Sequence, residues 1–164
     1  SLNYAIGNEG LYFGNSLWGP VKLIIIGSGI KCPATLATKA YSISVLILFA
    51  FISLYIIFKE KDFWKKIALL VFSMNLFPFV SGDYKLIHIF LPLFLFINNE
   101  NEDRLDWLYA VLFGLLLIPK AYVHYRPNPE ITSSIIISPL LMVFFTIVIM
   151  CQGLCTGVGK NKTG

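Results

Sequence analysis

The stretch Ser81-Gly82-Asp83-Tyr84-Lys85-Leu86-Ile87-His88 sets a carboxylate, a phenol, an ammonium and one of only two histidines between strongly apolar flanks. Ionisable groups this close to hydrocarbon are costly, and they mark places where charge is used. On an α-helix Tyr84 and His88 are four residues apart and Lys85 and His88 three, so the spacing predicts one shared face. Asp83 stands where a helix N-cap belongs, and capping alone would account for it. Lys85 has two readings: it meets an anion, or it snorkels so that its ammonium sits among headgroups. His88 lies one turn deeper, where a plain packing role is less comfortable.

A second constellation follows. Lys120 and His124 are four apart, with Tyr125 and Arg126 beside them. Two basic, aromatic loops facing each other would clamp a phosphate through charge-assisted hydrogen bonds, over apolar helices that take a lipid tail. The plainer reading makes Arg126-Pro127-Asn128-Pro129 an ordinary surface loop. Cys151 and Cys155 are also four apart, but no third or fourth ligand accompanies them, so no metal or other cofactor is expected. The chain carries no Walker loop, no dinucleotide glycine pattern and no HExxH. Asn161-Lys162-Thr163 matches a glycosylation acceptor, but on the side expected to be cytoplasmic.

The elements that must position these residues are apolar helices. The chain has 164 residues, of which 57% are hydrophobic and 13% charged, with a mean hydropathy of +0.74. Soluble domains carry about 25% charged residues. A soluble core of this size could not bury so much apolar surface, so the expected fold is an all-α integral membrane bundle. About five transmembrane helices are expected, some short or proline-kinked, with an N-terminal interfacial or re-entrant helix. The net charge of +4 reads as topology, and no nucleic-acid partner is expected. Ser1 is not Met, and Leu2-Asn3-Tyr4-Ala5 is not a signal peptide, so the chain reads as the C-terminal part of a longer membrane protein.

Residues 1–39 read as an extracytoplasmic loop and interfacial helix, 40–151 as the bundle and 152–164 as a cytoplasmic tail. Residues 16–30 are apolar but span only about 22 Å, short of a ~30 Å core. Asn15 or Ser16 can cap that helix, and Pro20 suits its first turn. Residues 40–58 form a clean span. Lys59, Lys61, Lys65 and Lys66 follow within eight residues and predict a cytoplasmic loop. Spans are then expected at 63–80, 86–97, 105–118 and 135–151. This topology places seven basic residues inside and six outside, namely Lys22, Lys31, Lys39, Lys85, Lys120 and Arg126. Outer loops normally avoid bases, and bases there often meet phosphate.

Three segments carry a resemblance. Ser81 to Leu93, with Asp83-Tyr84, Leu86-Ile87 and Pro92-Leu93, resembles a DY-x-LI…P-L segment of polyprenol-phosphate-mannose-dependent glycosyltransferases. These are integral membrane enzymes of the GT-C class, of the bacterial alpha-mannosyl and arabinofuranosyl transferase type. Phe13 to Lys22, containing Asn15-Ser16-Leu17, resembles that family's NSL…K segment, and Leu117-Ile118-Pro119-Lys120 its IPK segment. The order is that of the C-terminal part of such an enzyme. The resemblance implies transfer of a hexose or pentose from a polyprenyl-phosphate donor to a glycan or lipid acceptor. The site would face outward from a bacterial cytoplasmic membrane, among membrane lipids. Asn15, Ser16, Asp83, Tyr84, Lys85, His88, Lys120, His124 and Arg126 would bind substrate. The catalytic base would lie upstream, so no catalytic residue is assigned and the chain alone would be inactive. A carboxylate would deprotonate the acceptor while bases stabilise the leaving lipid phosphate. A fragment of a transporter or flippase for an anionic or lipid-linked substrate is the alternative, since short proline-interrupted segments suit it.

Overall fold

The computed structural model describes residues 15–27, 34–79, 81, 83–100, 103–118 and 133–159. These are helical, with no strand among them: α1 (Trp18–Gly27), α2 (Ala34–Phe58), α3 (Phe63–Leu76), a 3-10 helix (Asp83–Ile89), α4 (Phe90–Ile97), α5 (Asp106–Leu117) and α6 (Ser134–Gly159).

The longest elements, α2 and α6, have 25 and 26 residues. At 1.5 Å per residue each reaches about 37–39 Å. Both contain segments long and apolar enough to cross a membrane, Thr35–Phe58 and Ser134–Leu154. Helix α2 begins six residues before the expected span. Hydroxyls near its start are satisfied within the helix. Thr38 donates to the Thr35 carbonyl (3.1 Å), Ser42 to Thr38 (2.9 Å) and Ser44 to Ala40 (2.9 Å). Back-bonded hydroxyls leave no polar group for hydrocarbon to solvate.

Helix α3 has 14 residues, shorter than the expected span to residue 80. Pro78 follows the early stop and cannot donate a helical bond, although Phe77 itself keeps helical dihedrals (φ −84°, ψ −29°) and its N–H still bonds the Ser73 carbonyl at 3.1 Å. Pro92 has a comparable effect on the next element. An α-type bond from position 92 to the His88 carbonyl is impossible, and the change from 3-10 to α geometry falls at Ile89 and Phe90. Seven 3-10 residues rise about 2.0 Å each and eight α residues 1.5 Å, so segment 83–97 reaches about 26 Å. Helices α4 and α5, with 8 and 12 residues, are individually too short to cross a ~30 Å core.

Helix α3 is central. Ala68, Leu69 and Phe72 are fully buried, with Ile89, Tyr109, Met142, Phe145 and Ile149 around them. Aromatic rings bind α3, α5 and α6. Tyr109 stacks on Phe145 (5.5 Å, 15°), Phe113 meets the same ring edge-on (4.8 Å), and Trp64 meets Tyr109 at 5.0 Å. Such ring pairs add about 0.5–1.5 kcal/mol each beyond their buried area. Helix α2 is peripheral: only 17% of its most apolar window is buried, against 44% for α6. A core helix of a soluble protein would be mostly buried. Instead Ile43, Leu46, Ile47, Phe51, Leu54, Ile57 and Phe58 of α2 are exposed.

Two polar ends close the bundle. Lys65 and Leu76 lie near opposite ends of α3, so its length separates the Lys65 end from the Ser81 end. Helix α2 joins them through Tyr41 at the Ser81 end and Tyr55 at the Lys65 end. Helix α6 runs the same way, from Ile135, which touches Gly19, to Gln152, which touches Asp103.

Candidate functional site

At the Ser81 end the C-terminus of α3 exposes carbonyls that no helical N–H can reach. Four groups distant in sequence fill them and the carbonyls just beyond. The Leu17 N–H donates to the Leu76 carbonyl at 2.9 Å, and the Tyr41 hydroxyl lies 3.3 and 3.2 Å from the Leu76 and Phe77 carbonyls. The Ser16 hydroxyl donates to Phe79 (3.3 Å), and the Asn15 N–H donates to Ser81 (2.8 Å). Trp18, Tyr41 and Phe79 stack around this junction with centroids 4.9–5.5 Å apart. Asn15 and Ser16 are therefore buried, not open to solvent. The carboxamide oxygen of Asn75 and the hydroxyl of Ser81 are buried here with no hydrogen-bond partner among the described residues. Buried polar atoms usually find a partner, so two such atoms near one junction mark it as polar and under-satisfied.

The 3-10 helix alters the grouping drawn from the sequence. With three residues per turn, Lys85 and His88 fall in one column, whereas positions 84 and 88 differ by a third of a turn. Lys85 is half-buried. His88 is exposed, and its ring Nδ1 lies 3.0 Å from the Lys85 carbonyl. A carbonyl only accepts, so Nδ1 carries the proton and Nε2 is the outward nitrogen. Asp83 opens the 3-10 helix and so occupies its first position rather than a cap before it. The side chains of Asp83 and Tyr84 lie outside the described residues, as do Lys120, His124 and Arg126.

Helix α1 enters the same end through a tight contact. A Cβ added at Gly19 would lie 2.8 Å from Cγ2 of Ile135. Pro139 cannot donate to the Ile135 carbonyl, so the turn of α6 that faces Gly19 lacks one helical bond.

The Lys65 end holds a network that the sequence reading took for a topology signal only. The Lys65 ammonium is buried and bonds Asp62 at 2.7 Å and Asp103 at 3.0 Å. It also lies 5.6 Å from the Trp64 ring centroid and 5.8 Å from that of Tyr109. Asp103 accepts a further bond from the Gln152 amide, and the Tyr109 hydroxyl donates to the Gln152 carbonyl oxygen. Burial alone would raise the Asp103 pKa. The hydrogen bond and charge of Lys65, then the Gln152 amide, more than offset it and hold the carboxyl below its ordinary 3.8. Glu60, also buried, accepts from the N–H groups of Lys61 and Asp62 at 3.0 Å each, with the Tyr55 hydroxyl 3.1 Å away. Lys65 pairs with two carboxylates, Glu60 takes hydroxyl and backbone N–H donors, and Gln152 completes the links, so the network fastens segment 103–106 to α3 and α6. Among the described residues no three His, Cys, Asp or Glu side chains group as metal ligands.

Local spacing does not reveal this network, because its partners are 38 to 49 residues apart. The only signal was a lysine one turn after an aspartate at a helix start. No protein-family model, no curated protein and no solved structure matches the chain.

Proposed function

We propose that this chain is the membrane portion of a glycosyltransferase that uses a polyprenyl-phosphate sugar and acts on a glycan or lipid acceptor. Its Ser81 end would form part of the donor site, on the extracytoplasmic face of a bacterial cytoplasmic membrane. One observation carries the reading. Two of the three segments that resemble the glycosyltransferase family, 13–22 and 81–93, are joined by the Asn15–Ser81 hydrogen bond, and Ser16 bonds Phe79 just ahead of the second. Segments more than 60 residues apart meet where buried polar atoms gather and where half-buried Lys85 lies on the next element. The lysine positive charge suits a lipid phosphate, and the exposed apolar face of α2 suits a bilayer.

The test is photolabelling of the membrane-embedded chain with a diazirine analogue of a polyprenyl phosphate. Label is expected in peptides covering 15–22 and 81–93, and polyprenyl-phosphate mannose should compete it away. Label spread evenly over all helices, or unmoved by that competitor, overturns the reading.

A second reading, a transporter or flippase for a lipid-linked anion, draws support from the broken helix at Ile89 and Phe90. Reconstitution into sealed vesicles separates the two. Movement of a fluorescent lipid phosphate across the bilayer, without sugar transfer in the enzyme that contains this chain, favours transport.

A further inference from the structure

Two open apolar hollows meet beside the half of α2 nearest the Ser81 end. One, of about 410 Å³, lies between α2 and α3 and is lined by Val45, Leu46, Phe49, Met74, Phe77 and Phe79, among others. The other, also about 410 Å³, lies nearer the start of α2, where Thr35, Thr38, Lys39 and Ser42 edge it beside Ile43 and Phe79. Ser42 and Phe79 line both, so together they form one groove with an apolar floor and a polar mouth.

The mouth has a definite charge. Thr38 and Ser42 spend their hydroxyls on carbonyls of their own helix. Lys39 is exposed, and no carboxylate among the described residues pairs with it. Trp18 and Tyr41 sit one turn or less away along the bundle, the residue types that collect at headgroup level. A cation at the mouth of a slot that opens sideways into hydrocarbon matches a negatively charged headgroup with its acyl chain below. We propose that this groove binds an anionic phospholipid of the bilayer, one acyl chain lying between α2 and α3 and the phosphate against the Lys39 ammonium. The inference rests on α2 lying in a membrane and not on sugar transfer, so it stands or falls apart from the donor site.

Native mass spectrometry of the detergent-solubilised chain tests it, with phosphatidylglycerol and phosphatidylcholine of equal chain length as probes. A basic residue near the surface is worth about a fivefold preference for the anionic lipid. Lys39→Gln should bring the two lipids to near parity. Ser42→Phe, which fills the groove from an exposed helix position, should lower retention of both lipids while the melting temperature stays unchanged. Equal retention of the two lipids by the wild-type chain overturns the proposal. So does an unchanged preference in Lys39→Gln, or unchanged retention in Ser42→Phe. Displacement of phosphatidylglycerol by an equimolar polyprenyl phosphate would assign the groove to the donor lipid and overturn the phospholipid assignment.

Discussion

Lys85 and His88 are neighbours in sequence and in the same 3-10 column, yet they differ in what they can do. Lys85 is half-buried beside the junction of α1 and α3, while His88 is exposed and its Nδ1 is committed to its own helix. Lys85→Gln should therefore weaken competition by polyprenyl-phosphate mannose in the photolabelling assay. A hydrogen bond to a charged group contributes about 1.5–3 kcal/mol, or roughly ten- to hundredfold in affinity. His88→Ala should change the same affinity less than about twofold, within the scatter expected of surface substitutions. A large loss in His88→Ala with none in Lys85→Gln would reverse these assignments. At the other end, Gly153 is the residue to change. A Cβ there would stand 1.9 Å from the Tyr55 hydroxyl and 3.4 Å from a Glu60 carboxylate oxygen. Gly153→Ala should expel the Tyr55 ring from its place between Glu60 and the Ile149 carbonyl. Overpacking of this kind costs about 1–3 kcal/mol, read as a lower melting temperature in detergent. Gly114→Ala is the control, since a Cβ there meets nothing within 4 Å.

Helices and turns show which signals a sequence carries on its surface. The uninterrupted apolar run of 40–58 was legible because a membrane helix needs only length and hydropathy. Its start at Ala34 was not, because Thr35, Thr38 and Lys39 look like a loop until the Thr38 hydroxyl is seen bonded to the Thr35 carbonyl along the helix. Pro78 was read as a kink at the exit of a span to residue 80, whereas α3 ends at Leu76, two residues before the proline. Pro92 was read as an interruption, but that it would coincide with a change of helix type was not, since hydropathy does not distinguish three residues per turn from 3.6. Lys65 was read as one of four interchangeable cytoplasmic charges. Its burial depends on Asp103 and Gln152, whose partnership no local spacing encodes. The resulting latch makes a pH prediction. Asp103 has a folded pKa below its ordinary 3.8, so its contribution is fully present well above 3.8 and is lost as pH falls through the folded value. Between pH 7 and 5 the stability due to this group should be flat, and it should decline below about pH 4. Asp103→Asn should cost about 1–3 kcal/mol at pH 7 and flatten the acid limb of a melting-temperature profile. An unchanged acid limb in the variant would remove Asp103 from the latch.

Over the whole molecule, polar chemistry sits at two ends of an apolar bundle, and the ends differ in kind. The Lys65 end is built on a lysine paired with two carboxylates, whereas the Ser81 end gathers hydroxyl, carboxamide and backbone groups. Each buries oxygens without a partner among the described residues, Asp106 Oδ1 at the first and Asn75 Oδ1 and Ser81 Oγ at the second. If α2 and α6 cross a bilayer, the two ends face opposite compartments. In a variant with Cys32, Cys151 and Cys155 replaced by Ser, single cysteines at Lys61 and Asp83 should react from opposite sides of sealed membranes. Equal reaction of both with an impermeant maleimide would exclude that arrangement.

The mixed helix at 83–97 has a mechanical consequence. Seven residues in 3-10 geometry are about 3.5 Å longer than the same seven in α geometry. The element can therefore shorten where its i→i+3 bonds are exchanged for i→i+4 bonds, short of the one at His88 that Pro92 cannot make. If α2 crosses a bilayer, its fixed length means that it must tilt to suit a thinner one. Segment 83–97 can shorten instead, so that bilayer thickness is transmitted to the backbone that carries Lys85. Spin labels at Leu86 and Ile97 should move closer by about 1–2 Å, the share of that shortening expected from the three 3-10 residues between them, when the acyl chains of the host lipid are shortened.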